Sequence, residues 1–125
     1  MTVHLMARRA YARPDVTARN PRAVEYDLLA RCTADLNMAW RRRDTEFTVL
    51  AKAIDANLRL WTVLGADVAD PSNALPQALR AQLFYLYEFT AEHSRAILEG
   101  RSSVGVLVDI NTAVMRGLRG EGGTA

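Results

Sequence analysis

The sequence predicts an all-α fold, a small three- to four-helix bundle. Three observations carry that reading. Apolar residues recur at three- to four-residue intervals in four successive segments, the spacing that gathers them on one face of a helix. Proline, asparagine and glycine fall at the segment ends, where helices start and stop. Nowhere do two alternating apolar runs flank a tight turn, so no β-hairpin is indicated.

Residues 1–19 hold no sustained period, and Pro14 interrupts any helix begun at Leu5. They read as a flexible N-terminal arm with a short helical piece near residues 7–12. Asn20 then offers a cap and Pro21 a first helical residue. Val24, Leu28, Leu29, Cys32, Leu36 and Trp40 follow one face, giving a first helix of about 20 residues that ends near Arg41, Arg42 and Arg43. Cations there complement the partial negative charge of exposed carbonyls.

Asp44 is expected to cap the second helix, whose face carries Phe47, Leu50, Ala51, Ile54, Leu58, Trp61 and Leu64. Gly65 sits where a left-handed terminating residue is expected, and residues 66–73 have loop chemistry. Leu75-Pro76 opens the third helix, with Leu79, Leu83, Leu86, Thr90, His93 and Ile97 in line and Gly100 as its stop. Ser102 or Ser103 caps the fourth, along which Val104, Leu107, Ile110, Val114 and Leu118 share a face. The tail, residues 119–125, is too glycine-rich to order itself. One domain, residues 20–118, accounts for the rest, since a chain of 125 residues supports one core.

Charge is unevenly placed: residues 1–43 hold nine arginines against four acids, whereas residues 44–125 are net acidic. Such asymmetry suits an acidic partner or a weak polyanion contact, through Arg41, Arg42 and Arg43 above all; a merely solvated basic face explains it equally. No run of apolar residues has the length of a secretory signal or a membrane span. The single cysteine, Cys32, lies on an apolar stripe and reads as a buried, inert thiol. A soluble, cytoplasmic protein that does not engage the membrane is expected.

Catalytic parts are scarce. His4 and His93 belong to no metal-ligand spacing, Glu88 and Glu92 lack a ligand set on a facing helix, and no glycine-rich phosphate loop exists. A Ser102 or Ser103 pairing with His93 is open in principle, but nothing singles it out. No metal, no cofactor and no enzymatic activity are expected. What remains is surface: Phe84, Tyr85, Leu86, Tyr87 and Phe89 give the third helix more apolar bulk than one packing face needs. Either that helix is covered on several sides, or part of the belt docks a partner helix.

Asn57-Leu58-Arg59-Leu60-Trp61 resembles the Asn-x-x-Leu-Trp element of the FlaF family of flagellar biosynthesis regulators. In the family's order follow Leu75-Pro76, Leu79-Arg80, Asp109-Ile110-Asn111 and Gly117-Leu118, while Ala10-Tyr11 and Pro21-Arg22 resemble its N-terminal stretch. The likeness covers roughly residues 10–118. It implies an accessory factor for flagellin synthesis and secretion, acting with or against an FlbT-type regulator. Asn57, Leu60, Trp61, Leu75, Pro76, Asp109 and Gly117 are then family-marking positions. Trp61 is expected to anchor the core, and Asn111 and Asp109 to fix the last helix against the loop after Gly65.

Two functions follow. In the first, the protein is a flagellin-binding secretion chaperone whose partner surface includes Tyr85, Leu86, Phe89, Asn111 and Leu118. In the second, it regulates flagellin synthesis after transcription, contacting RNA through the N-terminal arginines Arg8, Arg9, Arg13, Arg19 and Arg22 with Arg41, Arg42 and Arg43, with steep salt dependence. The surplus apolar surface would serve a homodimer as readily as a client.

Overall fold

The computed structural model describes residues 21–120. The expected arm, the Asn20 cap, the N-terminal arginines with the Arg22 side chain, and the tail beyond Gly120 lie outside the described residues. Among the described residues there are four helices and no strand: α1 (Pro21–Arg41), α2 (Phe47–Ala69), α3 (Gln77–Leu98) and α4 (Gly105–Leu118). The bundle is thus all-α, as the periodicity predicts.

Each connection reverses the chain, so the start of α1, the end of α2, the start of α3 and the end of α4 share one end of the bundle. α2 packs against both α1 and α3, and α4 packs along α1. α3 and α4 scarcely touch. The larger apolar cluster, at the opposite end, joins Leu36, Leu50, Ile54, Ile97, Val104 and Leu107. A smaller one joins Leu29, Leu60 and Met115.

Several local expectations are corrected. α2 begins after Glu46 rather than at Asp44, because a hydrogen-bonded turn continues from α1, with the Glu46 amide donating to the Arg42 carbonyl at 2.8 Å. Phe47, expected on the buried face, is 52% exposed. Gly65 does not end α2; it is buried inside the helix, which runs a further turn to Ala69. Its lack of a side chain answers a different need. A Cβ there would stand 2.7 Å from Cγ and Cδ2 of the Tyr87 ring, so glycine is what lets α3 approach.

At the other glycines the picture is simpler. Gly100 takes φ +77° and stops α3 as expected. Gly117 does not terminate α4, which continues to Leu118; Gly120 takes the left-handed φ of +86° instead. Neither serine provides a strong cap for α4. Val104 holds that position, and the Gly105 amide reaches Ser103 Oγ only at 3.4 Å. The buried face of α4 is also turned: Leu107, Asn111 and Met115 point inward, leaving Ile110, Val114 and Leu118 half-covered. A polar residue at the centre of that face is what the apolar stripe could not disclose.

Two glycine substitutions separate close approach from helix propensity. Alanine in a helix interior gains about 0.5–1 kcal/mol over glycine, whereas overpacking costs about 1–3 kcal/mol. Gly65→Ala is therefore expected to lower stability by about 1 kcal/mol in thermal melts. Gly117→Ala, with nothing within 4 Å of its added Cβ, should raise stability by up to about 1 kcal/mol.

Candidate functional site

A polar layer lies between the two apolar clusters. Trp61 Nε1–H donates to Asn111 Oδ1 at 2.8 Å. The Asn111 amide donates to Asn57 Oδ1 at 2.8 Å and to Thr33 Oγ1 at 3.2 Å. The Thr33 hydroxyl passes the chain on to the Leu29 carbonyl at 2.7 Å. Asn57, Trp61 and Asn111 are all fully buried. Buried amides are costly unless paired, and here the pairing runs from α4 to both α1 and α2. Asn111 therefore belongs to the interior and leaves the expected partner surface. Nor do Asn111 and Asp109 fix α4 against the loop after Gly65: Asn111 bonds only to helical residues, and Asp109 is exposed.

Below this layer, at the end where α1 begins, α3 and α4 diverge around an apolar groove of about 500 Å³. Leu75, Leu79, Leu83 and Leu86 line its α3 wall, and Val114, Gly117 and Leu118 its α4 wall. Leu29, Leu64 and Val68 lie between them on α1 and α2. Its only two charged lining residues among those described are Glu25 and Asp67. Leu75 and Leu79 remain 41% and 40% exposed, so the wall stands open.

The loop leading into that wall is held by hydrogen bonds. Asp70 Oδ1 accepts from the amide and the hydroxyl of Ser72, both at 2.8 Å. First of all through those two bonds, its carboxyl is lowered to about 2. The stability this turn contributes is therefore fully present above the ordinary carboxylate range and is lost as pH falls through about 2. Asn73 donates to the carbonyl and Oδ2 of Asp67, while its own Oδ1 accepts the Leu75 amide at 3.0 Å. Arg80 closes the set: its Nε donates to the Val68 carbonyl at 2.9 Å and its Nη2 to the Asp70 carbonyl at 3.0 Å. The Val68 carbonyl lies in the last turn of α2, where helical amides run out, and the Asp70 carbonyl also accepts the Asn73 amide at 3.0 Å.

The aromatic belt is divided. Tyr87 packs over Gly65 and against Phe84, with centroids 5.6 Å apart. Phe89 stacks on His93 at 5.4 Å. Tyr85, 63% exposed, and Phe89 line a separate cleft with Glu88, Glu92, His93 and Arg101. The expected partner set thus splits into Leu86 and Leu118 in the apolar groove, and Tyr85 and Phe89 in a charged cleft. His93 Nε2 lies 3.0 Å from Ser102 Oγ and 3.1 Å from the Ser103 carbonyl. With the proton on Nε2 the ring donates to the Ser103 carbonyl; with the proton on Nδ1, Nε2 accepts from the Ser102 hydroxyl.

Arg41, Arg42 and Arg43 are exposed. Arg43 stacks 4.1 Å over the Trp40 ring and donates from Nη1 to the Trp40 carbonyl at 2.9 Å, while Arg42 stands 3.9 Å from Glu46. Cys32 is half-buried, and burial raises its thiol pKa. Among the described residues no three His, Cys, Asp or Glu side chains gather as a metal site. No described helix is long and apolar enough to cross a membrane.

Residues 7–118 match the family model of the flagellar protein FlaF. The chain belongs to the FlaF family. It is therefore a flagellar-related protein. No curated protein and no solved structure matches it. The residues that resemble FlaF motifs now divide by place. Asn57, Trp61 and Asn111 make the polar layer, with Leu60 buried below it. Leu75, Leu79, Gly117 and Leu118 line the groove, and Pro76 sits at the start of α3. Arg80 ties the two helices across the loop. Its placement in the first turn of a helix, where a cation is disfavoured, was the signal that it serves something beyond α3.

Asn111→Ala would leave the Trp61 N–H and the Asn57 carbonyl oxygen without their shared partner, at about 1–3 kcal/mol each. A loss of about 3 kcal/mol in urea unfolding is expected. Asp109→Ala, on the exposed face beside it, should stay within about 0.5 kcal/mol.

Proposed function

We propose that this FlaF protein is a cytoplasmic, non-enzymatic secretion chaperone that holds an amphipathic helix of flagellin in the groove between α3 and α4. The groove itself is the observation that carries the reading. Leu79, Leu83 and Leu86 stand at three- and four-residue spacing on one wall, facing Val114 and Leu118 on the other. An amphipathic helix laid there buries its apolar stripe against two helical walls, a recurrent mode of peptide recognition. Covering that stripe would keep the client from assembling before export and so promote flagellin production. The loop bonds made by Asp70, Asn73 and Arg80 hold the α3 wall in place before binding, which reduces the ordering cost of association.

Regulation of the flagellin message through Arg41, Arg42 and Arg43 has less support. Arg43 is engaged by Trp40 at the end of α1, and Arg42 stands near Glu46.

Titration of the full chain with flagellin tests the reading. Binding should persist in high salt, because the lining is mostly apolar. Leu83→Glu and Leu86→Glu should each weaken it roughly thirtyfold, about 2 kcal/mol of contact energy. Replacing Arg41, Arg42 and Arg43 together by Ala should leave it unchanged. Binding lost with the arginines and kept with the glutamates would sink the proposal.

A further inference from the structure

Gly65 and Gly117 both lie within helices, and only one of them has a cause inside the fold. A helical glycine destabilises relative to alanine, because it gives up more chain freedom on folding and packs nothing. At Gly65 that loss is offset: the bare backbone seats the Tyr87 ring, which a Cβ would meet at 2.7 Å. Gly117 has no such neighbour. It is exposed, its φ is not positive, and α4 runs past it to Leu118. Among the described residues nothing stands within 4 Å of a Cβ built there. Neither backbone conformation nor internal packing calls for a glycine at this position.

Gly117 faces the groove instead. Four residues of α4 line that wall, namely Ala113, Val114, Gly117 and Leu118. One helical turn separates Val114 from Leu118, and Ala113 from Gly117, so each pair stands in line along the helix. Val114 and Leu118 make a ridge, and beside it the backbone at Gly117 is uncovered. When helices pack, a large side chain of one seats in the hole between four residues of the other. The α3 wall offers no such place, since its lining is mostly leucine. A helix in the groove comes closest to the protein's backbone at Gly117.

We propose that Gly117 is a specificity-determining position of the groove, where the client helix seats a large apolar side chain much as Tyr87 seats on Gly65. The proposal rests on the chaperone reading for the identity of the client, and adds what that client must carry. Its amphipathic helix has a leucine, isoleucine, methionine or aromatic residue at the point nearest α4. A client with alanine there leaves the hole unfilled and loses those contacts. The glycine is kept at the expense of α4 stability, a trade common at sites that bind.

Flagellin titrations and thermal melts of the full chain, run on four variants, test this. Gly117→Ala should weaken flagellin binding roughly tenfold and Gly117→Leu at least thirtyfold, because added bulk displaces a closely packed partner. Gly117→Ala should nevertheless melt no lower than the parent. Arg116→Ala, exposed on the same turn and outside the lining, should bind as the parent does. Leu83→Glu reports on the groove itself. Parent-strength or tighter binding by Gly117→Ala, with binding lost in Leu83→Glu, would overturn the inference and leave the groove reading standing. Weakening by Gly117→Ala that comes with a lower melting temperature, or that Arg116→Ala matches, would assign the effect to α4 itself and also overturn it. Parent-strength binding by all four variants would overturn the groove reading, and this inference with it.

Discussion

Trp61 and Asn111 meet where the last helix passes between the two apolar clusters, to which it also contributes Leu107 and Met115. α4 has 14 residues and lies along α1, scarcely touching α3. The indole N–H to Asn111, and the Asn111 amide to Asn57 and Thr33, tie it at mid-length to two other helices. Hydrogen bonds of this kind hold position more sharply than apolar contact, because donor and acceptor meet in one register only. With α4 set by this layer and α3 set by the approach of Tyr87 to Gly65, the ends of the two helices stand apart. The groove is the space those two constraints leave.

The same arrangement explains why α3 looks too apolar for its place. In its C-terminal half Thr90, Ser94 and Ile97 are buried. In its N-terminal half, Leu79 is exposed and Leu83 and Leu86 are only partly covered. A helix of 22 residues beside one of 14 keeps its period along its whole length, while α4 scarcely touches it. The leucines of that half line the groove, whereas Tyr87 fills the glycine notch, Phe89 stacks on His93 and Tyr85 stays exposed.

The helical periods of α1, α2 and α3 were legible, although burial follows their stripes only in part: Phe47 and Leu79 are exposed. Leu36, Ile54, Trp61 and Ile97 lie in the core as their spacing predicts. Gly65 misled, since a glycine required by a neighbouring ring reads in sequence like a helix stop. Asn111 misled for a related reason: a buried amide looks polar along the chain, and only its partners, 50 and more residues away, make it interior. The groove was half legible. Leu86 and Leu118 were on the expected surface, but Leu64 and Leu83 read as core because one helix cannot disclose how far its neighbour diverges. Asp70, Asn73 and Arg80 act through bonds across a loop, for which residue type gives only a hint.

Hydrogen exchange of the full chain, with and without flagellin, tests most directly whether this groove is where the client binds. The account predicts slowed exchange in the segments that line it, at the end of α2, the first half of α3 and the end of α4, with the turn carrying Arg42 and Arg43 unchanged. Slowed exchange confined to that turn, or to the Tyr85, Phe89 and His93 cleft, would contradict it.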